Sequence, residues 1–139
     1  MKGSMDVTII QFQQHGDSRG NLVAAELGKE LPFPVRRVYY IYGVKGAQRR
    51  GFHAHKALNQ VLIAIAGSCK ILLDNGKEKT VVSLDKPTEG LFIGKDTWRE
   101  MFDFTENAVL LSLASAEYDE SDYIRDYGDF LKYLEEKNK

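Results

Sequence analysis

Short runs of apolar and β-branched residues, each stopped by a turn signal, fill this chain from residue 7 to residue 114. Val7–Phe12, Asn21–Glu26, Val35–Tyr42, Phe52–His55, Gln60–Ala66, Ser68–Asp74, Lys79–Leu84, Gly90–Ile93 and Ala108–Ala114 all read as strands. The continuously apolar Val61-Leu62-Ile63-Ala64-Ile65 is expected of a strand covered on both faces. Asn75-Gly76 between two such runs predicts a two-residue type I′ hairpin, because both residues tolerate positive φ. Gly67 ends the strand before it, and Pro87 and Gly90 mark a further turn.

Beyond Tyr118 the period changes. Tyr123, Tyr127, Phe130, Leu131 and Leu134 recur at spacings of three and four, predicting an amphipathic helix over 118–137 with Asp119 or Ser121 as its N-cap. Many short strands closed by one terminal helix make an all-β fold, a small β-barrel or jelly roll whose interior can hold a ligand.

The chain's 139 residues, 43% hydrophobic, suit one domain over residues 5–139. Met1-Lys2-Gly3-Ser4 ahead of Met5 reads as an expression tag, residues 1–4. A net charge of −1 argues against nucleic acid or an anionic membrane as partner. No apolar stretch reaches membrane-spanning length, and no secretory signal opens the chain. The single cysteine, Cys69, excludes an internal disulfide or a Cys-based zinc site, suits a cytoplasmic location, and reads as a small buried filler.

The chemistry-bearing residues are His53 and His55, in Arg49-Arg50-Gly51-Phe52-His53-Ala54-His55-Lys56. In an extended segment, side chains two apart share a face. Imidazole transfers protons near neutral pH and also ligates metals. This run, with Gln60 and Gly67 after it, resembles the first motif of the cupin superfamily; Gly94-Lys95-Asp96-Thr97-Trp98-Arg99 resembles the second. The fold implied is a cupin jelly-roll β-barrel with a C-terminal α-helix. Two departures bear on the chemistry. Gln60 stands where cupins place an acidic metal ligand, and Arg99 stands near their third histidine. A permanently cationic guanidinium repels a metal ion, so no metal and no cofactor are expected, and the imidazoles are left free to exchange protons.

The flanks narrow the resemblance. Asp17-Ser18-Arg19-Gly20 with Glu26, Arg37-Val38-Tyr39-Tyr40, Arg50 through Lys56, Trp98-Arg99-Glu100-Met101, and Asp122-Tyr123-Ile124-Arg125-Asp126-Tyr127 resemble the sugar 3,4-ketoisomerases. These convert dTDP-4-dehydro-6-deoxyglucose to a dTDP-3-keto-6-deoxyhexose through an enediol, towards 3-amino-3,6-dideoxyhexoses of bacterial surface glycans. The resemblance implies a homodimer. It also implies catalytic roles for His53, His55 and Tyr39. His55 is favoured as the base at C3, although spacing does not separate base from acid. It leaves Tyr39 against Tyr40 open, since only one of two adjacent strand residues faces a cavity.

For the nucleotide, arginine forks match a diphosphate, so Arg19, Arg37 and Arg50 are candidates, with Lys56 adding charge. Glu26 is a candidate for the thymine, Trp98 for lining the sugar or stacking on the base, and Arg99 for fixed charge beside the oxyanion. Ordinary readings stand beside these: Trp98 as core, Gln60 as a strand start, and one member of each Arg36-Arg37 and Arg49-Arg50 pair as solvated. Two other functions fit the same residues. One is a dTDP-sugar epimerase of the rhamnose-pathway type, and the other is a non-catalytic sugar-nucleotide-binding cupin.

Overall fold

The computed structural model describes residues 5–139; the tag reading of residues 1–4 lies outside them. The strands are β1 (Thr8–Gln11), β2 (Gln14–Asp17), β3 (Gly20–Val23), β4 (Arg37–Tyr42), β5 (Arg50–His55), β6 (Gln60–Ala66), β7 (Cys69–Asp74), β8 (Lys79–Leu84), β9 (Glu89–Ile93), β10 (Trp98–Phe102), β11 (Val109–Ala114) and β12 (Tyr123–Ile124). A single helix, α1 (Tyr127–Lys137), follows. Two five-stranded antiparallel sheets, ordered β1-β9-β6-β11-β4 and β12-β5-β10-β7-β8, pack as a jelly roll, and β2-β3 forms a separate ribbon. Among the described residues, no helix is long and apolar enough to cross a membrane.

The periodicities explain the layers. On β6, Leu62 and Ala64 enter the central core with Ile71, Leu91, Ile93, Met101 and Leu110. Val61 and Ile63 enter a second cluster with Phe12, Leu31, Phe33 and Leu113. Both faces are therefore covered from Val61 to Ala64, while Ile65, the last residue of the apolar run, is 46% exposed. A third cluster, Ala54, Trp98, Ile124 and Phe130, lies under α1.

The helix is shorter than its pattern. Asp119 caps a single 3₁₀ turn, Glu120–Asp122, while Asp126 caps α1 by accepting from the Asp129 N–H at 2.9 Å. Tyr123, expected on the helix, instead pairs with His55 in β12. The β7–β8 hairpin also differs from expectation. Its loop runs from Asn75 to Glu78, closed by Asn75 Oδ1 accepting from the Lys77 and Glu78 N–H groups. Gly76 takes φ 91° while Asn75 stays out of the positive region, so this is not the type I′ turn.

Candidate active site

One irregularity in β5 sets the site. Across to β10, His53 is opposite Arg99 but Gly51 is opposite Glu100, so Phe52 is an extra, bulged residue. Gly51 has φ 92°, and a Cβ there would lie 2.9 Å from the Arg99 carbonyl oxygen. The bulge resets the alternation by one residue. Arg50 thereby joins His53 and His55 on the inward face, while Arg49 turns out to pair with Glu100 at 2.9 Å and lie over Phe102.

A cavity of about 380 Å³ opens here, lined by Arg37, Tyr39, Arg50, His53, Tyr123 and Arg125 among others. The His53 and His55 rings are 4.9 Å apart, edge to face, and Tyr123 lies against both. On β4, Arg37, Tyr39 and Ile41 point inward while Tyr40 and Tyr42 are 62% and 70% exposed. Alternation thus turns Tyr39 inward and Tyr40 outward, although Tyr40 also borders the cavity.

The two imidazoles differ in their partners. His55 is 1% exposed, and its Nδ1 is 2.8 Å from Asp122 Oδ2. The other Asp122 oxygen accepts from the Ala57 N–H at 2.8 Å. A carboxylate only accepts, so His55 carries its proton on Nδ1 and keeps a lone pair on Nε2. His53 lines the cavity, and neither of its buried ring nitrogens has a hydrogen-bond partner among the described residues.

Arg99 is fully buried on β10. It donates to Gln60 Oε1 and, at 3.0 and 3.3 Å, to the Thr97 carbonyl. Burial lowers its pKa to about 10, so it stays protonated at neutral pH. Burial first, then the Arg99 charge, pushes His53 and His55 each down to about 3; His55 opposes His53, and Arg37 and Arg125 add to the effect on His55. Both rings are neutral at pH 7, the state in which each offers one donor and one lone pair.

Of the remaining candidates, Arg37 and Arg50 meet in the cavity. Trp98 does not. It is buried under α1 against Tyr127 and Phe130, with its indole N–H donated to Glu100 at 3.0 Å, so no ring face is left for a sugar or base. Arg19 sits exposed on the β2–β3 ribbon beside Asp17. Glu26 is exposed beside Lys29. Lys56 lines a neighbouring groove with Lys132 and Tyr133. Sequence reasoning gave no separate role to Asp122, Tyr123 or Arg125. Their only signal was the Asp-Tyr-Ile-Arg run within the resemblance.

A jelly roll holding two neutral imidazoles, a phenol and a cluster of guanidiniums defines a cupin built to move protons on an anionic ligand. The chain belongs to the family described as "FdtA: WxcM-like, C-terminal", whose model matches residues 5–135, and so to the cupin-type sugar 3,4-ketoisomerases. It is 48% identical over 134 residues, 96% of each chain, to a TDP-4-oxo-6-deoxy-α-D-glucose-3,4-oxoisomerase of Aneurinibacillus thermoaerophilus. A 3,4-ketoisomerase structure from Helicobacter canadensis matches with TM-score 0.91 and 50% identity, over 94% of this chain and 98% of that one. The sugar 3,4-ketoisomerase QdtA of Thermoanaerobacterium thermosaccharolyticum, solved with TDP, matches with TM-score 0.91 and 46% identity, over 94% and 96% of the two chains. A histidine-to-asparagine variant of QdtA was solved with TDP-4-keto-6-deoxyglucose.

Proposed function

We propose that this protein is a metal-independent isomerase that moves the carbonyl of dTDP-4-keto-6-deoxyglucose from C4 to C3. The observation that carries this reading is a cavity lined together by His53, whose ring nitrogens have no partner among the described residues, by Tyr39, and by Arg37, Arg50 and Arg125. The diphosphate matches the guanidiniums, which present planar donor forks to its oxygens. Loss of the C3 proton to a base leaves its electron pair as a C3–C4 double bond, and O4 becomes an oxyanion. Protonation at C4 and transfer of the O3 proton to O4 then give the 3-ketone, with no net oxidation. The product suits amination at C3. A lone buried Cys69 thiol fits the cytoplasm, where we place the reaction.

The resemblance favours His55 as the base, with spacing leaving base and acid unseparated; the cavity lining supports His53 instead. His53 lines the ligand space, and its two buried ring nitrogens have no partner among the described residues, while His55 is held by Asp122. His53 therefore exchanges the proton with the sugar, His55 is the second proton carrier, and the Tyr39 hydroxyl faces the oxyanion. The Arg99 charge acts from behind the cavity wall rather than by contact.

The exposed β2–β3 ribbon and the outward Tyr40 and Tyr42 of edge strand β4 support a homodimer. Arg19, at the tip of the ribbon, and Glu26, in the segment after it, do not line the cavity of their own chain, so a second copy is what would bring them to a site.

An NMR time course with dTDP-4-keto-6-deoxyglucose in deuterated buffer tests the activity. The wild type should incorporate deuterium and build up the 3-ketone, and His53→Asn should lose about 10²- to 10⁴-fold in rate. Deuterium exchange with the carbonyl kept at C4 would favour the epimerase, and no exchange a binding protein. A His53→Asn rate equal to wild type removes His53 from its role.

A further inference from the structure

We propose that Gln60 is a positioning residue that presets the Tyr39 hydroxyl as a donor into the cavity. The proposal rests on the ketoisomerase reading above. Gln60 opens β6, is 1% exposed and sits between three partners. Arg99 donates to Oε1, while Nε2 reaches Tyr39 Oη at 2.8 Å and Ser112 Oγ at 2.9 Å.

The orientation of the amide follows from donor and acceptor counts. A guanidinium has donors only, so the amide atom facing Arg99 must be the oxygen. That places the NH₂ against Tyr39 and Ser112, and its two hydrogens are spent on those two oxygens. Tyr39 Oη therefore accepts from Gln60 and cannot donate back to it. The phenolic hydrogen is left to point elsewhere, and Tyr39 lines the cavity. Register supports the same arrangement, with Ser112 opposite Tyr39 across β11–β4 and Gln60 opposite Ala114 across β6–β11. The buried Arg99 charge polarises the amide, which strengthens its N–H bond to the phenol oxygen as negative charge approaches. The departure from the cupin acidic ligand thus acquires a use. A carboxylate here would accept from Tyr39 and draw the hydroxyl hydrogen out of the cavity.

Steady-state kinetics of Gln60→Glu and Gln60→Met, each alone and with Tyr39→Phe, test this, with thermal melting and dTDP calorimetry as controls. Gln60→Glu should lower kcat about 10- to 100-fold with KM within about two-fold, since a donor to the oxyanion is lost while nucleotide contacts remain. In the Tyr39→Phe background the same substitution should cost nothing further, because the effect runs through the missing hydroxyl. Gln60→Met, which keeps side-chain volume without a buried charge, should show a smaller kcat loss in the same non-additive pattern. It decides the matter if Gln60→Glu fails to fold. Wild-type kcat in the folded variants, or the full loss repeated on Tyr39→Phe, overturns the role of Gln60 alone. A wild-type protein that does not move the carbonyl overturns the ketoisomerase reading together with it.

Discussion

Asp122 shows how much one carboxylate decides at this site. One oxygen receives the His55 Nδ1 hydrogen and the other the Ala57 N–H, both at 2.8 Å, so ring and loop are fixed together. In Asp122→Asn the amide has one acceptor for these two donors. If the oxygen stays on Ala57, the NH₂ faces Nδ1, and His55 must move its proton to Nε2, losing the lone pair. The rate should fall about 10²-fold or more while dTDP binding is kept, by the deuterium time course and calorimetry; an unchanged rate would separate His55 from proton transfer. At this scale the sequence was legible where geometry is local. A spacing of two put both imidazoles on one face, and strand alternation promised that one of Tyr39 and Tyr40 faces in. It was silent where partners are distant: Asp122 lies 67 residues from His55, and Gln60 lies 39 from Arg99.

Among the elements, α1 contributes most to the site without entering it. Phe130 is fully buried against Trp98 and Tyr127, pressing the helix onto the outer side of β10, β5 and β12, whose inner sides carry Arg99, His55 and Tyr123. Phe130→Ala should destabilise the fold by about 3–5 kcal/mol, the range for deleting a buried aromatic ring, read from the denaturant midpoint. A loss under about 1 kcal/mol would mean that the helix is not anchored there. Most strands matched their sequence patterns within a residue or two. β10 did not announce itself, for a physical reason. Trp98 is buried on one face and Arg99 on the other, so the apolar-polar alternation that marks a half-exposed strand is absent. β2 (Gln14–Asp17), which reads as a loop because it has no apolar residue, was not expected either, and β12 has only two residues, too few to show any period.

Over the whole molecule, the buried imidazoles tie stability to pH. Both rings have pKa values near 3 when folded against an ordinary 6.5. Between those values the unfolded chain binds protons that the folded chain does not, so acidification favours unfolding; above about 6.5 the effect is level. The denaturant midpoint should therefore fall from pH 6.5 to pH 5, and the His53→Asn and His55→Asn variants should each flatten that slope. An equal slope in all three would contradict neutral burial. Assembly belongs to this scale too. Light scattering should give the mass of two chains, reduced to one by Tyr40→Glu with Tyr42→Glu, and a wild-type mass of one chain would sink the dimer.

The amino-acid order alone determined the β architecture, the double cover of β6 from Val61 to Ala64, the terminal helix and the shared face of the two histidines. Each of these is a matter of backbone period, which is written locally. Only the tertiary structure decided that Trp98 is core, that Phe52 bulges and turns Arg50 inward, that His53 lines the cavity while Asp122 holds His55, and that Arg99 reaches Tyr39 through Gln60. Those outcomes depend on sheet pairing and on donors finding acceptors across the fold, and no local pattern encodes such meetings.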